Sequence, residues 1–294
     1  MHGFEALLAA GRIEQDVPLG PLSTYRRGGP AKWFLRAETA DDLRVVVPSE
    51  VPVLVLGRGS NLVVASAGFD GLVIHLGPTT EALAIDGLDV GAPGGYPLPL
   101  LARRTAAAGI GGFAWYVGIP GSVGGAVRMN AGCHGSETSD VLVEAVVWHL
   151  RTGAEDARTP SGLDLAYRHS NLTDDELVLS ASFRGTHSTP EATEAEMREV
   201  TRWRKETQPG GTFNAGSVFK NPEGDAAGRI IDALGLKGTA VGGARVSPRH
   251  GNFIEAGDDA SPEDIHALMH LVRETVAREA GVDLLPEIRF VGFA

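Results

Sequence analysis

One glycine-rich segment organises the sequence: Gly118-Ile119-Pro120-Gly121-Ser122-Val123-Gly124-Gly125-Ala126. Glycine permits positive φ angles and lets another group approach the backbone closely. A loop of this kind can direct a row of N–H groups at an anion, usually a phosphate. Pro120 fixes its own φ and restricts Ile119, so the loop has a defined shape. A tight turn between two strands is the alternative interpretation.

A second glycine loop, Gly57-Arg58-Gly59-Ser60-Asn61, directly follows the apolar run Val51-Pro52-Val53-Leu54-Val55-Leu56. The apolar run is typical of a buried strand. Two loops of the same character suit a ligand with two phosphates. We therefore favour a dinucleotide-binding protein over the simple turn.

Composition narrows the class of protein. The chain has 294 residues, of which 43% are hydrophobic, so two or three domains are expected. Its 39 glycines are about twice the typical ~7% share, which favours a cofactor-binding enzyme over a helical bundle. The net charge of −11 argues against broad nucleic-acid binding. Any anionic substrate would need a local group of Arg, Lys and backbone N–H donors.

The sequence also indicates a compartment. No run of ~18 apolar residues is present, and the first residues lack the features of an export signal. Cys133 is the only cysteine, so an intramolecular disulfide is excluded and a reducing cytoplasm is expected.

Apolar spacing predicts the main elements. Helices are expected over 98–108, from Thr189 to about Arg204, and in two segments of the last third, capped by Asp225 and by Ser261. Strands are expected over 51–56, 71–76, 143–150, 177–183 and 284–291, and the segment 84–96 is expected to be a strand followed by a Gly/Pro turn. The segment 207–211, rich in glycine and proline, is predicted to separate two domains.

Three polar residues from distant segments are candidates for chemistry: Arg168, Ser217 and Glu287. Ser217 could equally be a turn residue, and Glu287 could form a structural ion pair with Arg289. Spacing alone does not bring the three together. No Gly-x-Ser-x-Gly elbow, Walker loop, nicotinamide-type Gly-x-Gly-x-x-Gly or metal-ligand spacing is present, so no metal is expected.

Two further polar groups have competing interpretations. Tyr25, Arg26 and Arg27 either face a nucleotide or form a solvated turn. The pair Cys133-His134 is predicted to be structural rather than a reactive thiol.

Together, the motifs resemble those of UDP-N-acetylenolpyruvoylglucosamine reductases, the MurB family, in an unbroken order from about Ser23 to Gly292. Each motif is weak alone, but their order and spacing are specific. The motifs that carry the resemblance are Arg27-Gly28-Gly29-Pro30-Ala31, Leu56 to Leu62, Gly118 to Asn130, Tyr167-Arg168-His169-Ser170, Gln208-Pro209, Ala215 to Pro222, and Pro286-Glu287-Ile288-Arg289-Phe290.

The resemblance implies an α+β fold with a two-lobed FAD-binding domain of the vanillyl-alcohol-oxidase (PCMH) type and a smaller C-terminal α+β substrate domain. The implied division is 1–77 with the strand 290–294 for one lobe, 78–206 for the other, and 207–289 for the substrate domain. The short span between Phe183 and Thr207 matches the family's shorter type, which lacks an extra tyrosine-bearing loop.

The implied activity is the NADPH-dependent, FAD-dependent reduction of the enolpyruvyl group of UDP-N-acetylglucosamine enolpyruvate to UDP-N-acetylmuramate, in peptidoglycan precursor synthesis. The implied setting is a cytoplasmic monomer or weak oligomer that binds neither nucleic acid nor membrane. Arg168 and Glu287 would stabilise charge near the flavin, and Ser217 would be the proton donor. Tyr167, Lys220 and Asn221 would bind substrate, with the helix start near Asp225 assisting.

The resemblance assigns FAD binding to both glycine loops: Gly57, Arg58, Gly59, Ser60, Asn61, Gly118, Ile119, Pro120, Gly121, Ser122 and Gly125. Glu255 departs from the family pattern, because asparagine is expected there, so the role of that position is left open.

Two rival functions remain. A flavin oxidase or dehydrogenase of the same fold would act on an alcohol or a lactone. A nucleotide-sugar-binding module could keep the glycine loops without catalysis, but it would not need Arg168, Ser217 and Glu287 together.

Overall fold

The structure, a computed structural model, describes residues 2–37, 40–46, 51–77 and 83–293. The helices are α1 (His2–Ala9), α2 (Ala40–Arg44), α3 (Leu98–Ala107), α4 (Val123–Met129), α5 (Pro190–Thr207), α6 (Ala227–Ala233) and α7 (Pro262–Ala280). The strands of the first half are β1 (Glu14–Pro18), β2 (Pro30–Ala37), β3 (Val53–Leu56), β4 (Leu62–Val64), β5 (Phe69–Leu76), β6 (Ala84–Asp86), β7 (Asp89–Pro93), β8 (Ile110–Gly111), β9 (Gly132–Cys133) and β10 (Ser136–Glu137). The strands of the second half are β11 (Leu142–His149), β12 (Glu155–Arg158), β13 (Glu176–Arg184), β14 (Thr186–His187), β15 (Ala240–Val241), β16 (Ala244–Val246), β17 (Ile254–Ala256) and β18 (Arg289–Val291).

The chain forms two compact units. Unit 1 consists of Met1–Gln15, Trp33–Arg58 and Gly71–Arg204, and unit 2 consists of Asp16–Lys32, Gly59–Asp70 and Lys205–Ala294. These two units begin and end at other residues than the predicted parts 1–77, 78–206 and 207–289. The three-part division stays a prediction.

Unit 1 is built on a five-stranded antiparallel sheet of order β12-β11-β13-β7-β6. The central strand β13 places Ala181 opposite Ala145 on one side and Ala92 on the other. Phe183 packs edge-on against Phe113, with ring centroids 6.2 Å apart, and both rings are fully buried. Burying such rings stabilises a core by roughly 1.5–3 kcal/mol each.

The predicted strands 51–56 and 71–76 pair in parallel as β3 and β5, from Val53 opposite Leu72 to Leu56 opposite His75. They belong to a sheet of order β1-β2-β5-β3. The predicted helix 98–108 is α3, which buries Leu98, Leu101 and Thr105 and ends before Gly109. Both predictions are confirmed.

Unit 2 combines the antiparallel sheet β15-β16-β17 with α6 and α7, and a parallel pair of β4 with β18. Helix α7 begins with a capping box between Ser261 and Asp264 and ends at Gly281, whose φ is +68°. Its buried face carries Ile265, Leu268, Met269, Val272 and Val276, as the spacing predicts.

Two predicted strands differ from the structure. The segment 84–96 contains a hairpin, β6 and β7, because Gly87 has a positive φ and closes a tight turn. In the segment 284–291 only Arg289–Val291 is a strand, since Pro286 has no N–H to donate to a ladder.

Two predicted helix features also differ. Asp225 is not the cap of α6: the N-cap is Ala226, and the Asp225 carboxylate accepts from the Ala226 amide and pairs with Arg229. Trp203, which has the spacing of one helix face with Met197 and Val200, is 42% exposed, and its ring packs edge-on against His134.

Within the described ranges, no helix is long and apolar enough to cross a membrane.

Candidate active site

The glycine loop 118–122 of unit 1 is anchored on both sides by backbone hydrogen bonds. The Leu98 amide donates to the Gly121 carbonyl (3.1 Å), and the Val123 amide donates to the Tyr96 carbonyl (3.0 Å). Helix α4 then starts with Ser122 as its N-cap residue, although the Ser122 side chain does not cap the helix. The loop is therefore held in one conformation by the turn that precedes α3.

The start of the other glycine loop lies against this one. The Arg58 side chain donates from Nε to the Pro120 carbonyl at 3.1 Å. A Cβ added to Gly57 would overlap the Ser122 hydroxyl, so the close approach depends on glycine unless the Ser122 side chain moves. The sequence prediction that the two loops share a site is thus supported for Gly57 and Arg58, both in unit 1.

These residues fit the diphosphate of a dinucleotide. Among the described residues, the amides of Gly121, Ser122 and Gly125 donate to no carbonyl or side chain. Several amides on one loop, next to a position where a Cβ is excluded, provide donors for phosphate oxygens. Ile119 and Gly118 complete this loop, and a Cβ at Gly118 would lie 3.0–3.4 Å from side-chain atoms of Arg204, Val200 and Cys133, which is a tight fit.

The rest of the first loop, Gly59 to Asn61, belongs to unit 2. Here the Asn61 side chain donates to the Glu287 carbonyl at 3.1 Å, and the Arg289 amide donates to the Asn61 carbonyl at 2.9 Å. Asn61 therefore fixes the segment that carries a candidate catalytic residue. Its predicted contact with FAD, like that of Ser60 and Gly59, stays a prediction.

Arg168 lies in unit 1, on a loop that packs against 128–132. Its φ is +52°, a region that non-glycine residues rarely adopt. Its Nη2 donates to the Gly132 carbonyl at 2.8 Å, and its guanidinium lies 5.0 Å from the Tyr167 ring centroid. Tyr167 is 47% exposed, so this aromatic–guanidinium pair can meet a ligand. Strained residues of this kind cluster at functional sites.

Side chains fasten the Arg168 loop. The Asn130 side chain, fully buried, donates to the Ala166 carbonyl at 3.1 Å, and the Ser170 hydroxyl donates to the Arg128 carbonyl at 2.7 Å. Sequence reasoning grouped Arg128 to Gly132 with the site but assigned no role to Asn130. Its left-handed φ of +39° at the end of α4 is the feature that an Asn-Ala-Gly sequence signals.

Cys133 is next to this loop and is not set up as a nucleophile. Burial raises the pKa of its thiol, although the neighbouring guanidiniums of Arg204 and Arg168 act in the opposite direction. A raised pKa leaves little reactive thiolate. This environment supports the structural interpretation of Cys133-His134.

Ser217 and Glu287 lie in unit 2, on segments that pair with each other. The Glu287 amide donates to the Val218 carbonyl at 2.8 Å, and the Lys220 amide donates to the Leu285 carbonyl at 2.9 Å. Both side chains are half-buried. The structure thus brings two of the three candidate catalytic residues onto adjacent segments. Arg168 belongs to unit 1, and its meeting with them stays a prediction.

Asn252 is a site-supporting residue that sequence reasoning missed. It is buried, its Oδ1 accepts from the Phe219 amide (2.9 Å), and its Nδ2 donates to the Phe219 carbonyl (2.8 Å). Its carbonyl accepts from the Val218 amide (2.9 Å). An Asn next to a histidine–glycine pair gives no signal of this role, since the partner lies 33 residues away.

Asn221 and Lys220, the predicted substrate ligands, follow the Ser217 segment. The Asn221 Oδ1 accepts from the Ala227 amide at 3.1 Å, so this side chain satisfies the first turn of α6 in place of Asp225. That contact sets the direction of Asn221. Its predicted contact with the substrate diphosphate stays a prediction.

Two open questions from the sequence are answered by unit 2. Glu255 is buried and pairs with Arg245 across β16 and β17 at 2.8 Å, so its role is structural. Tyr25 fits neither interpretation of the 25–27 segment, because it is fully buried. The Tyr25 hydroxyl donates to the Ile254 carbonyl inside the core, and Arg27 donates to the Gly257 and Ala260 carbonyls.

Comparison with known proteins defines the class first. Residues 33–154 match the family model of an FAD binding domain. With the paired glycine loops, this match makes the chain an FAD-dependent oxidoreductase.

Residues 208–291 match the model of the UDP-N-acetylenolpyruvoylglucosamine reductase C-terminal domain. The chain is 42% identical to the UDP-N-acetylenolpyruvoylglucosamine reductase of Rhodopseudomonas palustris (strain HaA2), over 96% of this chain and 92% of that protein. The enzyme of the same name from Caulobacter vibrioides is also 42% identical, over 97% of each chain. The crystal structure of the reductase from Thermus caldophilus superposes with a TM-score of 0.83 at 37% identity, covering 95% of this chain and 99% of that one. The chain belongs to the UDP-N-acetylenolpyruvoylglucosamine reductase family, and the predicted fold class is confirmed.

Proposed function

We propose that the chain reduces the enolpyruvyl group of UDP-N-acetylglucosamine enolpyruvate, with NADPH as the reductant, to give UDP-N-acetylmuramate. The observation that supports this proposal most directly is the pairing of the Ser217 and Glu287 segments in the C-terminal reductase domain. Family membership over nearly the full chain supports the substrate.

The balance of the reaction defines what the protein must supply. The terminal carbon of the enolpyruvyl double bond gains a hydride, the internal carbon gains a proton, and NADPH becomes NADP⁺. FAD, when bound, supplies the relay of that hydride from NADPH to the substrate. The residues that would hold it are those of the two glycine loops, chiefly Gly57, Arg58 and the Gly121–Ser122 amides.

We assign the proton to Ser217. Its hydroxyl would donate to the internal carbon, while Arg168 would balance the negative charge that builds on the substrate carboxylate. Glu287 would assist from the neighbouring segment. A serine hydroxyl is a weak acid, so it needs such neighbours, and general-acid help of this kind contributes about 10²–10⁴-fold to a rate.

Tyr167, Lys220 and Asn221 would hold the UDP-sugar. The chain carries a net charge of −11, so a dianionic diphosphate needs local cations and amides to bind at all. Tyr167 is exposed under the Arg168 guanidinium, which supports a place for it at the ligand.

We further propose that the enzyme works in the cytoplasm as a monomer or weak oligomer. The single cysteine, Cys133, fits a reducing compartment.

The test is turnover by purified protein. We expect a yellow protein that oxidises NADPH only after UDP-N-acetylglucosamine enolpyruvate is added, with a product two mass units heavier than the substrate. Oxygen- or dye-dependent turnover of an alcohol or lactone, without any response to the UDP-sugar, would overturn the assignment.

A further inference from the structure

Helix α7 carries two histidines, His266 and His270, four residues apart. Residues with this spacing lie on the same face of a helix. Their Nε2 atoms are 3.1 Å apart, and their rings meet edge to face with centroids 4.5 Å apart. Both side chains are half-buried, so neither is sealed inside the core.

Packing fixes the orientation of the His266 ring. It stacks on Phe293, with centroids 4.4 Å apart and an interplanar angle of 27°, and it meets the Phe290 ring at 4.7 Å. The two phenylalanine rings also contact each other, at 5.5 Å. Because these rings leave His266 little rotational freedom, its Nε2 is held toward His270 before any ligand arrives.

The separation of the two nitrogens is that of a chelating pair. Imidazole nitrogens bind Zn²⁺ at about 2.0–2.1 Å, which places two of them about 3.3 Å apart at a tetrahedral angle and about 2.9 Å apart at a right angle. The observed 3.1 Å lies between these values. In the free protein one Nε2 donates a proton to the other, and a metal ion would take the place of that proton.

The charge around the pair also suits a cation. Glu263, one turn before His266, accepts from the Ser66 amide (2.8 Å) and hydroxyl (2.5 Å), which fixes a negative charge on the same helix.

We propose that His266 and His270 form a binding site for a divalent transition-metal ion, with Zn²⁺ as the ion and water completing its coordination. Imidazole ligands select Zn²⁺ and its neighbours over the oxygen-seeking Mg²⁺. No group of three or more His, Cys, Asp or Glu side chains suited to a metal occurs among the described residues, so the site has two protein ligands.

The experiment uses full-length, tag-free holoenzyme stripped with a chelator. Zn²⁺ binding is followed by calorimetric titration, and unfolding is followed with and without the ion. We expect one Zn²⁺ per chain and an unfolding temperature raised by about 5 °C at about a hundred times the dissociation constant. Mg²⁺ at the same concentration should leave the temperature unchanged.

Three variants locate the site. His270→Ala should weaken Zn²⁺ binding about tenfold or more. His266→Phe should do the same while keeping a ring between the phenylalanines. His187→Ala, which removes an exposed histidine of β14 in unit 1, should bind as the unchanged protein does. The proposal would be overturned if His270→Ala bound Zn²⁺ as tightly as the unchanged protein. It would also be overturned if His187→Ala lost as much Zn²⁺ affinity as His270→Ala.

Discussion

The Arg168 loop of unit 1 (163–171) and the Ser217 segment of unit 2 (214–220) hold their functional side chains by different means. The loop is closed by the Asn171 amide on the Leu163 carbonyl, and it is fastened by the Asn130 side chain and by its own Ser170 hydroxyl, which donates to the Arg128 carbonyl. The Ser217 segment is fastened by main-chain hydrogen bonds to Asn252 and to 285–287, and by the buried Asn252 side chain, which bonds to the amide and the carbonyl of Phe219. The Ser217 side chain makes none of these bonds, so Ser217 can be altered without loosening its backbone, whereas the loop depends on the side chain of its own Ser170.

Apart from the Ser217 variant described last, the largest effect is expected at Arg168. Arg168→Met removes both the charge and the hydrogen bond to the Gly132 carbonyl, so the rate of flavin reoxidation by the enolpyruvyl substrate should fall about 10²–10³-fold. Rapid-mixing absorbance measures this rate. Arg151→Met, which removes an exposed arginine paired with Asp175, is the control and should leave the rate unchanged. An unchanged rate in Arg168→Met would place the charge-stabilising group elsewhere.

A smaller effect, on stability, is expected at Asn252. Asn252→Leu leaves the buried amide and carbonyl of Phe219 without their partner, so the free energy of unfolding in urea should fall by about 2–4 kcal/mol. Asn252→Asp keeps the oxygen that accepts from Phe219 but places an ionised oxygen against the Phe219 carbonyl, so it should also lose stability. If Asn252→Leu unfolds like the original chain, the Ser217 segment is not held in this way.

The smallest effect is expected at Gly216, which precedes Ser217 with a φ of +78° and has open space where a methyl group would lie. Gly216→Ala should cost about 1–2 kcal/mol from backbone strain alone. Gly210→Ala is the matched control, because that position is equally open and has no positive φ. Urea unfolding of the two variants compares them directly. Equal stabilities would mean that the turn before Ser217 is not strained by a side chain.

Local pattern was sufficient to predict much of the fold. Ser261, the apolar spacing of α7 and Gly281 define one helix completely, because caps and periodicity are local properties. The contact between the Gly57 and Gly118 loops in unit 1 also agrees with the sequence, because both loops are rich in glycine and suit the phosphates of one ligand. Pro286 and Gly87 altered two predicted strands, since a missing N–H and a positive φ override apolar patterning.

The support of the site was harder to predict. Asn130, Asn252 and Asn61 each bond to backbone groups far along the chain, and nothing in the neighbouring sequence identifies those partners. Tyr25 was ambiguous for the same reason, because its carbonyl partner lies 229 residues away. Polar residues that act through tertiary contacts need the fold before their role can be assigned.

The proposed reduction depends most on Ser217 as the proton donor. Its most direct test is stopped-flow flavin absorbance of Ser217→Ala in two separate half-reactions, with Ser161→Ala in an exposed loop as the control. We predict that NADPH reduces the variant's flavin at a near-normal rate, and that reoxidation by UDP-N-acetylglucosamine enolpyruvate slows about 10²–10⁴-fold. Equal slowing of both half-reactions, or none in either, would contradict the assignment.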